Sequence, residues 1–146
     1  MDQAVKVSVA ILLPLNTRMK VTTFFNLVHV LNLGAAFSFL ADAGGWQRYV
    51  LLTLALKVSV WLVLMLRQNL PPVERVAYVL ILAGALGDAA DQALRGAVVD
   101  FLDFHWRGVH WPAFNLADVA ISLGAVCLIA ATMFQSRPVK PGLEKG

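Results

Sequence analysis

Two long apolar blocks restrict what this chain can fold into. Residues 49–66 and residues 119–134 are mostly apolar, and basic residues follow each of them. Each block is close to the roughly 20 residues that a helix needs to cross a bilayer core. The whole chain is 59% hydrophobic and 14% charged, whereas a soluble domain is about 45–50% apolar and about 25% charged. We therefore expect one integral membrane domain.

A third block follows two prolines that interrupt the helical pattern. It carries Asp88 and Asp91, which a membrane tolerates only where they face a bundle interior or a wet cavity. Ala83 and Gly87 are spaced four residues apart, which predicts a small-residue face for close helix packing. The predicted transmembrane helices are 49–66, 76–94 and 116–134.

The start of the chain is too short to span. Residues 4–15 are apolar but contain Lys6 and Pro14, so we expect the tail of a helix there. Residues 18–45 are richer in Val, Thr and Phe and contain turn residues, which predicts a small β element outside the membrane. The predicted fold class is an all-α membrane helical bundle, with three complete spans plus the tail of a first helix, and a small β element.

The net charge of +3 does not indicate nucleic-acid binding, because the basic residues lie singly at the ends of apolar blocks. His105 and His110, together with Asp103, raise the possibility of a metal site. They lack the spacing of a metal motif, and Trp106 and Trp111 beside them indicate an interfacial loop over 95–115. We expect no metal and no cofactor.

Asp100 and Asp118 are acids in apolar surroundings, and such acids usually carry function. Two neighbouring carboxyls can share a proton and act as an acid–base pair. Two simpler interpretations remain open: Asp100 as a loop acid, and Asp118 as a favourable charge at a helix N-terminus capped by Asn115. Asp103 is a rival to Asp100, because a spacing of three would place both on one helix face.

Several motifs together resemble those of the bacterial lipoprotein signal peptidases, also called type II signal peptidases. The resemblance covers nearly the whole chain, and its two aspartate boxes are the most specific part. The matching segments are Asn32-Leu33-Gly34-Ala35-Ala36-Phe37, Gly87-Asp88-Ala89-Ala90-Asp91-Gln92, Val98-Val99-Asp100-Phe101, Phe114-Asn115-Leu116-Ala117-Asp118 and, at the start, Asp2-Gln3-Ala4-Val5-Lys6.

The resemblance implies a membrane aspartic endopeptidase that removes signal peptides from prolipoproteins whose cysteine bears diacylglycerol. Asp100 and Asp118 would be catalytic. The family's architecture implies a bacterial inner-membrane protein with its site near the periplasmic face and the β element as a periplasmic cradle. The expected partners are the prolipoprotein signal peptide and membrane lipid, and we expect a monomer. The residues expected to bind substrate or support the site are Asn32, Gly34, Asp88, Asp91, Asn115, Asp2 and Lys6.

The chain departs from the family pattern at three positions. Asp88 stands where the family has asparagine, Gln92 where it has arginine, and Val5 where it has a hydroxyl residue. The chain also begins where the family's first span should end, so we expect a truncated N-terminus. A start codon assigned too late is the favoured explanation, and a shortened sequence or true loss of the helix from the gene are the alternatives. Lys57 and Asp88 could lie at similar depth on two antiparallel helices, at about 1.5 Å per residue, so Lys57 is the predicted partner of Asp88. The alternative interpretation of Lys57 is a lysine that snorkels to the interface or faces a cavity.

Two other functions remain open from the sequence. One is a catalytically impaired homologue that binds lipoprotein signal helices or assists another membrane protein. The other is a small transporter subunit that uses its membrane aspartates as a proton relay, although the broken helices of such proteins are not evident.

Overall fold

The structure, a computed structural model, describes residues 1–34 and 45–135. They form four helices and one four-stranded antiparallel sheet with the strand order β1-β2-β3-β4. This coarse fold agrees with the predicted helical chain carrying a small β element. Residues 35–44 of the predicted β element and the basic tail lie outside the described residues. The elements are α1 (Asp2–Leu12), β1 (Arg18–Lys20), β2 (Phe25–Asn32), α2 (Gln47–Leu66), α3 (Pro72–Arg95), β3 (Val98–Trp106), β4 (Val109–His110) and α4 (Leu116–Gln135).

Helices α2, α3 and α4 cover the three predicted spans. Within the described residues, α2 and α4 are long and apolar enough to cross a membrane. Helix α3 has 24 residues but also five charged side chains, so three complete spans stay a prediction. Pro72 occupies its first turn, where a missing N–H costs no helical hydrogen bond. Gly96 ends it with a φ of 75°, a left-handed conformation that favours glycine.

Helices α3 and α4 pack closely through two glycines. A methyl group added at Gly84 would lie 2.5 Å from the carbonyl oxygen of Ala117, and one at Gly124 would lie 2.7 Å from that of Ala77. Both positions therefore require glycine. The predicted packing face is partly wrong. Gly87 does approach Ala117, but Ala83 is exposed. Ala83 directly precedes the buried Gly84 and is rotated from it by about 100° around the helix.

The 95–115 segment is not the predicted interfacial loop. It contains β3 and β4, which pair as a hairpin around Arg107 and Gly108. Both turn residues have positive φ, 49° and 84°, as in the type I′ turn that suits the twist of antiparallel strands. Strand β3 also pairs with β2, so one sheet combines strands that precede α2 in the sequence with strands that follow α3.

Candidate active site

Asp100 lies on β3 and is fixed by two amide side chains. Asn32, at the end of β2, donates from Nδ2 to Asp100 Oδ2 at 3.0 Å, and Asn115 donates from Nδ2 to Asp100 Oδ1 at 2.8 Å. The backbone N–H of Gly34 donates to Asn32 Oδ1 at 2.9 Å, which fixes the orientation of that amide. Gly34 has a φ of 99°, which explains why a glycine is required there. Asp100 is 3% exposed and thus depends on these partners.

Asp118 is held at the beginning of α4 by a reciprocal cap. The backbone N–H of Asn115 donates to Asp118 Oδ2 at 3.0 Å, and the backbone N–H of Asp118 donates to Asn115 Oδ1 at 3.1 Å. This is the pattern of a capping box. The helix-cap interpretation of Asn115 and Asp118 is therefore correct as geometry. It does not exclude a site role, because the amide nitrogen of Asn115 remains directed at Asp100.

Asp100 and Asp118 line one cavity of about 410 Å³. Its polar lining comes from carboxylates and amides, and its apolar lining comes from α2, α3 and α4 and from Val98 of β3. Both Gly34 and Gln92 also contribute to the wall. The other polar lining residues are Asn32 and Asp88, and the apolar ones are Leu51, Leu54, Ala55, Val58, Ala85, Ala89, Val98 and Ile121.

The surroundings raise the pKa of Asp100 to about 6. Burial is the largest cause, because it disfavours the charged form. The amides of Asn32 and Asn115 act in the opposite direction by stabilising the carboxylate, while the charges of Asp118 and Asp88 raise the pKa further. At neutral pH this carboxyl can therefore accept and release a proton more readily than an ordinary aspartate.

A buried ammonium group joins α1 to the site. Lys6 is 0% exposed, and its Nζ lies 2.9 Å from carboxylate oxygens of Asp2, Asp88 and Asp91. Asp91 also accepts from the backbone N–H of Val99 at 3.2 Å, next to Asp100. All nine predicted site residues therefore lie close together: Asn32, Gly34, Asp88, Asp100 and Asp118 line the cavity, and Asp2, Lys6, Asp91 and Asn115 contact these residues or their neighbours in the chain.

Sequence reasoning missed two partners of Asp91. Gln3 donates from Nε2 to Asp91 Oδ1 at 3.0 Å, and Arg95 forms an ion pair with the same oxygen. The spacing of four between Asp91 and Arg95 on a helix is a signal that could have identified the second pair.

The predicted pairing of Lys57 with Asp88 is wrong, because Asp88 binds Lys6 instead. Ser59 and Leu62 are the buried residues of α2. Lys57 precedes Ser59 by two residues, which places it about 200° around the helix. It lies on the exposed face, beside Tyr49 and Thr53.

Asp103 belongs to a separate network. On a strand, a spacing of three directs Asp100 and Asp103 to opposite faces, so the expectation of a shared helix face is wrong. Asp103 accepts from Asn26 Nδ2 at 2.7 Å and bonds His110 Nδ1 at 2.8 Å, and Arg18 lies 3.4 Å away. Burial would raise its pKa, but these three partners lower it overall. In the part of the chain that the structure describes, no three candidate ligands gather around a metal position.

Comparisons with known proteins agree with these motifs. The family model described as "Signal peptidase (SPase) II" matches residues 1–134. The lipoprotein signal peptidase of Serratia marcescens is 48% identical over 132 residues, covering 90% of this chain and 78% of that protein. That of Aeromonas hydrophila subsp. hydrophila is 50% identical over 133 residues, covering 88% and 79%.

Solved structures give the same result for the fold. One bacterial membrane enzyme has a TM-score of 0.81 and 28% sequence identity, and covers 95% of this chain and 87% of its own. A second, also a bacterial membrane enzyme, has a TM-score of 0.80 and 30% identity, and covers 90% and 84%.

Proposed function

Because the chain belongs to the signal peptidase II family, whose activity is the removal of signal peptides from prolipoproteins, we propose that it is an aspartic endopeptidase with Asp100 and Asp118 as its acid–base pair. The observation that carries this proposal is the cavity shared by the two carboxyls. Asp100 is buried and bound by amides, whereas Asp118 is held at a helix N-terminus. The two carboxyls thus lie in different environments, as the two members of an acid–base pair do.

The proposed reaction is hydrolysis by an activated water. Two nearby carboxyls share one proton, and the ionised member takes a proton from water as the water attacks the scissile carbonyl. The protonated member polarises that carbonyl and then protonates the leaving amine. Asn32 and Asn115 keep Asp100 in place during these transfers, because each donates one bond to it. No covalent intermediate is required.

The proposed substrate is a prolipoprotein whose cysteine carries diacylglycerol. Most of the cavity's lining residues are apolar side chains of α2, α3 and α4, so an acyl chain and a signal helix can contact them within the bilayer. The sheet and the carboxyls lie at the same end of these helices, which we assign to the periplasmic face of the inner membrane.

A gel-shift cleavage assay with a diacylglyceryl prolipoprotein tests the catalytic pair. Asp100→Asn and Asp118→Asn should each lower cleavage by at least about 1,000-fold, because an amide can neither accept nor deliver the proton. Asp103→Asn is the matched control, and it should keep activity once its folded fraction is accounted for.

An active Asp100→Asn variant would contradict the pair, and an inactive, folded Asp103→Asn variant would favour Asp103. Absence of cleavage by the parent protein, with retained binding of the signal peptide, would favour the catalytically impaired homologue.

A further inference from the structure

Asp88 is a third carboxylate in the cavity, and the proposed reaction gives it no role. It lines the same wall as Asp100 and Asp118, and its side chain is 23% exposed. It lies on α3 one helical turn before Gln92, which also faces the cavity.

Asp88 is connected to Asp100 through one amide group. Asn115 Nδ2 lies 2.8 Å from Asp100 Oδ1 and 3.4 Å from Asp88 Oδ1. Asp88 Oδ1 also accepts from Lys6 Nζ at 2.9 Å. A continuous path of polar contacts thus runs from Lys6 through Asp88 and Asn115 to Asp100. A change of charge at Asp88 therefore changes the strength of the hydrogen bond that the Asn115 amide donates to Asp100.

The charges around Asp88 do not neutralise it fully. From α1, Lys6 faces it, but Lys6 is shared with Asp2 and Asp91. On α3, Arg95 is bound to Asp91. The strand β3 presents Asp100 and α4 presents Asp118, both acidic. Arg48 of α2 donates to the carbonyl of Ala93 at 2.6 Å. Among the described residues, the ion pairs of the five carboxylates Asp2, Asp88, Asp91, Asp100 and Asp118 therefore involve two cations only, Lys6 and Arg95.

We propose that Asp88 is a positioning residue that, through Asn115, sets the pH range in which the Asp100 and Asp118 pair hydrolyses its peptide. This inference rests on the proposed function and extends it. Asp88 acts on the pair and does not itself exchange a proton with water or the leaving amine. Its negative charge disfavours the ionised form of Asp100. Because Asp100 and Asp118 work as one pair in the proposed reaction, the working pH range lies higher than it would with a neutral residue at position 88.

The test measures kcat/KM for prolipoprotein cleavage from acidic to alkaline pH with full-length protein in detergent. Asp88→Asn keeps the shape of the side chain and removes its charge, and Asp88→Ser is a smaller neutral replacement. Both limbs of the pH profile should move to lower pH by about one unit in either variant. Glu74→Gln, which removes a carboxylate at the opposite end of α3, is the matched control and should leave the profile in place.

A profile that stays in place while kcat falls or KM rises would overturn the proposal and leave Asp88 a structural residue. Infrared difference spectroscopy of the Asp100 carboxyl, assigned with Asp100→Asn, gives a readout that does not need turnover. In Asp88→Asn its titration should shift downward by the same amount, and an unchanged titration would also overturn the proposal. A parent protein that does not cleave at any pH would count against the proposed function alone, because the infrared titration still reports the coupling.

Discussion

At the scale of the residue, Asp100 combines a chemical advantage with a stability cost. Its carboxyl is buried, and its pKa is raised to about 6. An unfolded aspartate has a pKa of about 3.9, so between these two values the folded protein binds more protons than the unfolded one. The free energy of unfolding contributed by Asp100 therefore decreases as pH rises through this window. Above about pH 6 the full cost of the buried charge is present.

Asp100→Asn should remove this cost together with the activity. We expect the variant to be more stable than the parent at pH 7–8 by on the order of 1–2 kcal/mol, because no buried charge has to form. The free energy of unfolding of the variant should also no longer decrease between about pH 4 and pH 6, because the amide does not titrate. Denaturation in mixed micelles at several pH values measures both effects. A variant less stable than the parent at pH 7–8 would show that the amide contacts of the carboxylate outweigh its desolvation.

The partner of Asp88 shows a limit of sequence reasoning at this scale. Depth matching placed Lys57 near Asp88 because it uses distance along the helix axis, but it does not say which face a side chain occupies. The true partner, Lys6, is 82 positions away in the sequence. The motifs around the other aspartates predict their partners better. Asp118 contacts Asn115, three residues away in the same motif, and Asp100 contacts Asn32, which belongs to another of the matching motifs.

At the scale of the element, the glycines of α3 and α4 decide how closely these helices approach. Gly84→Ala should destabilise the protein by about 3 kcal/mol, in the upper part of the range for overpacking, because its methyl group meets a backbone carbonyl that cannot rotate away. Ala83→Leu, on the exposed neighbouring position, is the control and should have little effect. Unfolding in mixed micelles compares the two variants. Equal stability of Gly84→Ala and the parent would mean that the helices separate easily.

The β3–β4 hairpin shows why some elements were missed. Its turn is Arg-Gly and not the common Asn-Gly or Asp-Gly, and aromatic residues flank it. Such a segment fits an interfacial loop equally well when only its composition is considered. The helices were easier to predict, because long apolar blocks have few alternatives.

At the scale of the whole molecule, the sheet and the carboxyls lie at one end of the helices and the α2–α3 connector at the other. We expect the first end in the periplasm and the connector in the cytoplasm, since Arg67 and Arg75 flank the connector. Cys127 is the single cysteine of the chain. In a Cys127→Ser background, a membrane-impermeant maleimide added to intact cells should label Arg107→Cys and not Gln68→Cys. The reverse labelling pattern would contradict this orientation.

The burial of Lys6 also has a consequence for biogenesis. Its ammonium group is enclosed by carboxylates of α1 and α3, two helices that leave the ribosome well apart in time. Before α3 is inserted, Lys6 lacks its partners Asp88 and Asp91, so its ammonium group must stay in contact with water or lipid headgroups. The scaffold around Asp100 is complete only when the late helices close around the early one. The proposed acid–base pair is therefore complete only after α4, which carries Asp118 in its first turn, has been synthesised.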